Sequence, residues 1–594
     1  MCGILGITSS ENYPQKKINS FLESLNHRGP DNQSSVAIDN LILGHSRLSI
    51  IDLSSSSNQP ISYNNRYYLV FNGELTNYLI LKEKLKSLGV GFETDGDTEV
   101  VLKSLCHWGV RALELFDGMF ALAFFDKKTK DLILARDFLG IKPLYYNFQD
   151  DKLIFSSEVK SFNKLSKFDV NPNWKTLFLS FGFIPDNQTT LSSVYSLPKA
   201  KYMIFNTSNK NFKIHNYTNE IYDHSVNDYD EAKNIVRNKL KKSVFDNLIA
   251  DAPLGIFLSG GIDSSIIALL ADKLGQENLN TVSLNFDVEG LNEKNYQELV
   301  LKKLKNNRHT NCVITKDNFF NEVKSILDKM DQPSCDGVNS HFVSIAAKNA
   351  GLKSVLSGVG GDELFGGYPS FKRVFLLKLL RIIPRIILKF IAKFSVKFSR
   401  VNFLNFDCDY SEYLFLRGIY NTSQISEILN LDETLVIKKL SNLKRNKLSY
   451  DNNLLMVSDL EKDIYMQNQL LKDTDCFSMA NSIEVRVPFL NKDFIYSLNK
   501  INPKMRFNTP GTKKLLTDSF KDLLPKEIVN RDKSGFVMPF DKWFRMDFNK
   551  IKSLIGTNSY SEIVCKKFLK NEIHWSKLWM LVVLNHFHNK EINE

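Results

Sequence analysis

An apolar run from Leu254 to Leu258 passes directly into Ser259-Gly260-Gly261-Ile262-Asp263-Ser264-Ser265 and then into a helical pattern. A strand that feeds a helix through a two-glycine turn is the repeating unit of an open parallel sheet, and it leaves few other folds available. Further apolar runs at Thr281 to Phe286 and Ser354 to Leu356 alternate with helical periodicity, so a doubly wound parallel sheet is expected from Tyr229 onward. After Phe371 the pattern is nearly all helical. The turn also has a chemistry. Glycines let backbone amides face a ligand, the serine hydroxyls add donors, and the helix start adds positive potential, which together make a phosphate cradle. It is not a Walker loop, because no Gly-Lys-Ser/Thr follows, and Asp263 would repel a phosphate unless Mg²⁺ bridged them. A turn with no ligand is the competing explanation.

The first 205 residues read differently. Short apolar runs at Ile4 to Thr8, Tyr67 to Phe71, Met119 to Phe125, Leu132 to Ala135, Leu144 to Tyr146 and Leu153 to Phe155 are bounded by Gly, Asp or Asn, as strands are. Helical spacing is clear only around Tyr78 to Leu88 and Thr98 to Trp108. The polar stretch from Asn206 to Asp230 reads as a linker. A chain of 594 residues exceeds one core, and at about 100–200 residues per domain it should form two to four. The expected division is 2–205, a linker at 206–229, and 230–594.

Lys and Arg number 77 against 66 Asp and Glu, a net charge of +11 that suits anionic substrates, nucleic acid or an anionic membrane face, or merely reflects a Lys-rich composition. Seven scattered cysteines, never spaced Cys-x-x-Cys, argue against a disulfide framework or a zinc ribbon. No secretory leader is readable, so a cytoplasmic location is expected. From Phe371 to Arg400, cations at Lys378, Arg381, Arg385, Lys389, Lys393 and Lys397 recur every three or four residues. That spacing predicts a helix kinked at Pro384 whose solvated side is basic, with no stable membrane insertion.

Cys2 follows the initiator in Met-Cys-Gly-Ile-Leu-Gly-Ile. Removal of Met1 would put a thiol and a free α-amine on one residue, and an amine titrating near about 7.7–8.0 can take the thiol proton. A buried structural cysteine at a strand start is the other reading of that position alone.

Taken together, these motifs resemble the glutamine-hydrolysing asparagine synthetases, whose second half is an adenylating ATP pyrophosphatase. The resemblance covers nearly the whole chain. It runs through His27-Arg28-Gly29-Pro30-Asp31, Arg47-Leu48-Ser49-Ile50, Asn72-Gly73-Glu74, Asp97, Arg136-Asp137 and Lys142-Pro143-Leu144-Tyr145-Tyr146 in the first half. In the second half it runs through the glycine turn, Ser357-Gly358, Gly361-Asp362-Glu363-Leu364-Phe365-Gly366-Gly367-Tyr368, Glu484-Val485-Arg486-Val487-Pro488 and Arg531-Asp532-Lys533.

The resemblance implies a four-layer αββα N-terminal-nucleophile domain followed by a doubly wound adenylating domain with a helical C-terminal part. It implies Cys2 as nucleophile, Asn72 and Gly73 as oxyanion donors, and Arg47, Leu48, Ser49, Ile50, Ile51, Glu74 and Asp97 around glutamine. Arg47 would pair with the substrate carboxylate, and Glu74 and Asp97 would receive its ammonium. It further implies ATP held by Leu258, Ser259, Gly260, Gly261, Ile262, Asp263, Ser264, Ser265, Leu284, Ser357 and Gly358. Asp263 and Asp362 would bind Mg²⁺, and Lys533 would offset phosphate charge. Ion-paired structural roles compete for Asp362 and Lys533. An apolar interdomain ammonia tunnel follows from the same resemblance, with Met119-Phe120 and residues near Arg486 to Phe489 as contributors, and a homodimer is compatible with it.

Two departures stand out. Where the family usually has an acidic residue inside Ser-Gly-x-Gly, this chain has Val359, which can do no proton chemistry. Cys476-Phe477 follow Asp475, where an Arg often follows the Asp. The acceptor is therefore aspartate or another carboxylate, such as a sugar acid. A scaffold with lost synthetase function is the third reading, opposed by Cys2, Arg47 and the full phosphate loop. A nucleic-acid role is disfavoured, since no RNA-binding module is readable.

Overall fold

The structure is a computed structural model and describes residues 2–8, 14–275, 278–288, 290–291, 293–385, 387–388, 396–445, 450–509, 512–531, 537–556 and 559–593. Two six-stranded antiparallel sheets form the N-terminal region. One has the spatial order Val194–Ser196, Tyr145–Gln149, Lys152–Ser156, Gly3–Thr8, Leu41–Arg47, Asn32–Ile38. The other runs Phe212–Asn216, Lys201–Asn206, Asp131–Arg136, Gly118–Asp126, Tyr67–Leu75, Ile61–Tyr63. Ile4, Leu43, Val70, Ala123, Leu134 and Phe155 fill the space between the sheets. Each fully buried side chain of this size contributes about 1.5–3 kcal/mol relative to exposure.

On the outer face of the first sheet, helix Gln15–Glu23 packs through Phe21 and Leu22. On the outer face of the second lie helices Tyr78–Ser87 and Asp97–Trp108. The result is the expected αββα layering. Because the central strands of both sheets, such as Gly3–Thr8 and Gly118–Asp126, are buried on both faces, they read as apolar runs rather than as strict alternations.

Helix Tyr229–Asn247, capped by the Asp228 carboxylate on Glu231 N, opens the second region. Its sheet is wholly parallel, with the order Asn307–Ile314, Leu279–Phe286, Leu254–Phe257, Ser354–Leu356, Glu484–Arg486. The first strand in sequence lies in the middle, so the order reverses between it and Ser354–Leu356. Ligands bind at such reversal points, outside the carboxyl ends of the strands. Both the glycine turn and Ser357-Gly358 leave strands there. The helical C-terminal part packs around stacked aromatics, among them Phe319, Phe540, Trp543 and Trp579.

The two regions meet through a mixed boundary. Arg28 pairs with Asp475 at 2.7 Å, Lys353 with Asp31 at 2.6 Å, and Ser482 Oγ donates to His27 O at 2.8 Å. Between these polar contacts, Leu48, Ile50 and Met119 share one apolar cluster with Val485, Val487 and Phe489.

Two expectations change. The stretch expected to be a linker at 206–229 contains strand Phe212–Asn216, which pairs with Lys201–Asn206 at the sheet edge. Its outward positions are polar, which hid it, while Tyr217 is buried and its hydroxyl donates to Arg136 O at 3.1 Å. Among the described residues, Phe371 to Arg400 contributes to helix Ser370–Leu380 and to the short 3-10 helix Val396–Leu404. The solvated side of Ser370–Leu380 is not simply basic: Phe371, Val374 and Leu377 take the core positions, and the remaining Phe375, Leu376 and Leu379 are exposed. Lys389 and Lys393 lie outside the described residues. No helix among the described residues is long and apolar enough to cross a membrane.

Candidate active site

Cys2 is buried at the start of strand Gly3–Thr8, with Arg28 Nε donating to its carbonyl at 3.1 Å. Its own N–H donates to Asn72 Oδ1 at 3.0 Å. That bond turns the amide of Asn72 around, and Nδ2 is left buried with no hydrogen-bond partner. A buried unmet donor costs about 1–3 kcal/mol, a cost that a hydrogen bond to an incoming oxygen would offset. Burial pushes the Cys2 thiol up, so forming the thiolate requires an adjacent base. At Gly73, a Cβ would lie 2.1 Å from Met119 O, so only glycine allows this strand to approach Gly118–Asp126 so closely.

A narrow cavity of about 30 Å³ opens beside the thiol. Arg47, Leu48, Ile50, Ile51, Gly73, Glu74 and Asp97 line it. Ser49 does not line it; its N–H donates to Asp31 Oδ2 at 2.8 Å, away from the cavity. Arg47 is anchored by its own following loop, donating from Nη1 to Ser54 O at 2.6 Å and Asn58 Oδ1 at 2.8 Å. A cluster of carboxylates also borders the cavity. Glu74 pairs with Arg486, Asp97 accepts from Leu75 N at 3.0 Å, and Glu484, which the sequence reading did not assign to the site, joins them. Burial pushes Asp97 up to about 6, and burial together with Glu484 raises Glu74 well above the usual carboxylate range.

The second cavity, of about 430 Å³, lies at the reversal point of the parallel sheet and is of the size that holds a small molecule. Leu258, Ser259, Gly261, Asp263, Ser264, Leu284, Ser357, Gly358 and Asp362 line it; Gly260, Ile262 and Ser265 do not. Gly260 instead shapes the turn, with φ +77° and its Cβ direction only 2.9 Å from Gln297 N. Ser265 is fully buried behind the loop. Ser259 Oγ accepts from Gly261 N at 3.2 Å and lies 3.0 Å from Ser264 Oγ, contacts that brace the turn.

Asp263 and Asp362 face one another across Lys513, whose ammonium pairs with Asp263 and lies 2.7 Å from Asp362. The two carboxylates hold Lys513 well above its ordinary pKa against the opposing effect of burial. Two hard oxygen donors already gathered on one cation are a donor set that fits Mg²⁺, which takes one or two carboxylates together with phosphates. Lys533 lies outside the described residues. Arg531, just before it, donates from Nη1 to Gly260 O at 3.3 Å and pairs with Glu293 at 2.5 Å.

Val359 lines this cavity beside Glu363, whose Oε1 accepts from Tyr368 O–H at 2.8 Å. Burial and Asp362 lift Glu363 to about 7. At the other departure, Asp475 takes Arg28, and Cys476 Sγ lies 3.2 Å from Lys329 O, enclosed in the interface.

Residues 1–218 match the family model described as a glutamine amidotransferase domain, and residues 235–560, more than half the chain, match that described as asparagine synthase. The chain belongs to the asparagine synthase family. Its relatives include asparagine synthetase (glutamine-hydrolyzing) 1 of Bacillus subtilis (strain 168), 29% identical, with 100% of this chain and 97% of the relative covered. A putative asparagine synthetase (glutamine-hydrolyzing) of Mycobacterium bovis is 29% identical over 88% of this chain and 84% of its own. Amidase chyE of Penicillium rubens is 27% identical over 93% and 90%. This member of the asparagine synthase family is a glutamine-dependent amidating ligase acting on small molecules.

Proposed function

We propose that the chain is a glutamine-dependent asparagine synthetase that makes asparagine from aspartate, ATP and glutamine. The observation that carries this reading is the presence, in one chain, of two chemically unlike pockets with strand Glu484–Arg486 lining both. One offers a thiol, an unmet amide donor and carboxylates for an ammonium; the other offers a phosphate loop at a sheet reversal.

In the first, the α-amine freed at Cys2 takes the thiol proton and sulfur attacks the glutamine side-chain amide. The oxyanion takes hydrogen bonds from Asn72 Nδ2 and the Gly73 N–H. Ammonia leaves, and water releases glutamate from the thioester. In the second, an acceptor carboxylate oxygen attacks the α-phosphorus of ATP, and pyrophosphate departs onto the loop of Ser259 to Ser264. Ammonia then attacks the acyl carbon and AMP leaves. Asp263 and Asp362 would hold Mg²⁺, which spreads the charge of the phosphates. The apolar cluster of Leu48, Ile50, Met119, Val485, Val487 and Phe489 supports passage of neutral ammonia between the pockets.

Incubation with ATP, glutamine and aspartate should give asparagine, glutamate, AMP and pyrophosphate. Val359 in the acceptor cavity, and a relative named as an amidase, favour a second reading: amidation of another carboxylate. AMP release with sugar acids but not with aspartate would decide for it.

The carboxylate wall predicts a pH dependence. An incoming ammonium favours ionised Asp97, which is protonated below about pH 6. The KM for glutamine should therefore fall as pH rises through 6, by about tenfold between pH 5 and 7. Glu74, also raised, extends the trend upward. In Asp97→Asn the KM should be high and lose the step near pH 6; an unchanged profile would remove Asp97 from ammonium binding.

A further inference from the structure

Strand Glu484–Arg486 is buried throughout and forms the last strand of the parallel sheet. Successive side chains of a strand point to opposite faces, and here the two faces belong to different sites. Glu484 lines the cavity of Cys2. Arg486, two residues on, pairs with Glu74 of that cavity and with Glu484, the latter at 2.6 Å from Nε. Val485, between them, lines the phosphate-loop cavity with Ser357 and Gly358. The main chain is joined as well: Arg486 is in register with Leu356, and Ser357 N donates to Arg486 O at 2.8 Å. One three-residue strand is thus a wall of both pockets.

The charges on this strand give it something to respond to. Glu74, Glu484 and Asp97 converge around Arg486, which pairs with the first two, with Arg486 at 0% and Glu484 at 1% exposure. An ammonium arriving there competes with Arg486 for the same oxygens. Arg486 also donates from Nη1 to Asn247 O at 2.8 Å and Ile249 O at 2.6 Å, so its guanidinium cannot shift without breaking these bonds or straining the segments at both of its ends, Asn247 to Ile249 and its own strand. In a close-packed interior such a shift is passed to neighbours rather than absorbed.

We propose that Glu484 is a third carboxylate for the glutamine ammonium, and that strand Glu484–Arg486 couples occupancy of the glutamine pocket to nucleotide affinity. The proposal rests on the assignment of the two pockets given above. Both residues act as positioning groups for the chemistry on either side. By linkage, whatever factor glutamine-site occupancy imposes on nucleotide affinity, nucleotide must impose in return.

The test titrates α,β-methylene-ATP with Mg²⁺ into the full chain, with and without saturating L-glutamate, which presents the same α-amino-acid end as glutamine. In the wild type, L-glutamate should tighten the analogue by about fivefold or more, and in Glu484→Gln by less than about twofold. Binding of the analogue by the variant shows that it is folded. Val485→Ala probes the strand from the other face, with the analogue's effect on L-glutamate affinity as readout, and should show the same loss. A wild-type shift retained in Glu484→Gln, or wild-type protein that binds the two ligands independently, would overturn the coupling. Failure of the wild type to bind either ligand would remove the pocket assignments themselves, and the coupling with them.

Discussion

Cys2→Ala is expected to reduce glutamine-driven amide formation by roughly a thousandfold or more, since nothing else in the pocket can form the thioester. Ammonium salts at alkaline pH should restore product at a rate close to that of the wild type given the same salts. The asymmetry follows from the layout. Cys2 lies at the start of an interior strand of the first antiparallel sheet, whereas the phosphate loop and the acceptor cavity are built from the parallel sheet. Alanine removes one sulfur from a small buried side chain and leaves the Asn72 contact, which is made by the backbone N–H, in place. Glutamate release and AMP release, measured separately, read the two pockets. Residual glutaminase activity in Cys2→Ala, or loss of ammonia-driven AMP release, would contradict the division of labour. Mass spectrometry of the wild type should also find Met1 absent, because the base in this mechanism is the amine that its removal exposes.

What could be read from the sequence followed the local physics. Strands buried on both faces announce themselves as apolar runs, and Tyr67–Leu75, Gly118–Asp126 and Ser354–Leu356 were visible for that reason. Asn307–Ile314 lies at the open edge of the parallel sheet and alternates exposed and half-buried positions, so no apolar run marks it. Phe212–Asn216 escaped in the same way, as an edge strand with a wet face. The site residues divide likewise. Cys2, Asn72 and the glycine turn carry their chemistry in adjacent letters. Glu484 belongs to the glutamine pocket only because strand alternation turns it toward a domain more than four hundred positions earlier in the chain. Ser49 belongs to the Arg47-Leu48-Ser49-Ile50 motif on which the resemblance rests, but in the fold its N–H turns to Asp31 Oδ2, outside the cavity lining. Lys513 sits in no motif; only the folded chain brings it between Asp263 and Asp362.

Lys513→Met should therefore be destabilising in a way that identifies its partners. Methionine keeps the apolar stem but removes the ammonium, leaving Asp263 and Asp362 facing each other with like charge in a largely buried site. Breaking a buried ion pair from one side costs about 3 kcal/mol at the lower end of its range. At about 2.1 cal/mol/K of unfolding entropy per residue over residues 230–594, that lowers Tm by about 4 °C. Lys513 also holds a positive φ of 51°, a conformation a non-glycine residue keeps only when its surroundings enforce it. The ion pairs are that enforcement. If the two carboxylates are the Mg²⁺ partners, millimolar Mg²⁺ without nucleotide should recover much of the lost Tm in Lys513→Met and change the wild type little, because in the wild type the lysine already fills the place between them. Asp362→Asn in the Lys513→Met background relieves the repulsion and should abolish the Mg²⁺ response, which separates metal binding at this pair from a general salt effect. Equal Mg²⁺ responses in all three proteins would mean that the pair is a structural ion cluster and that the metal binds elsewhere.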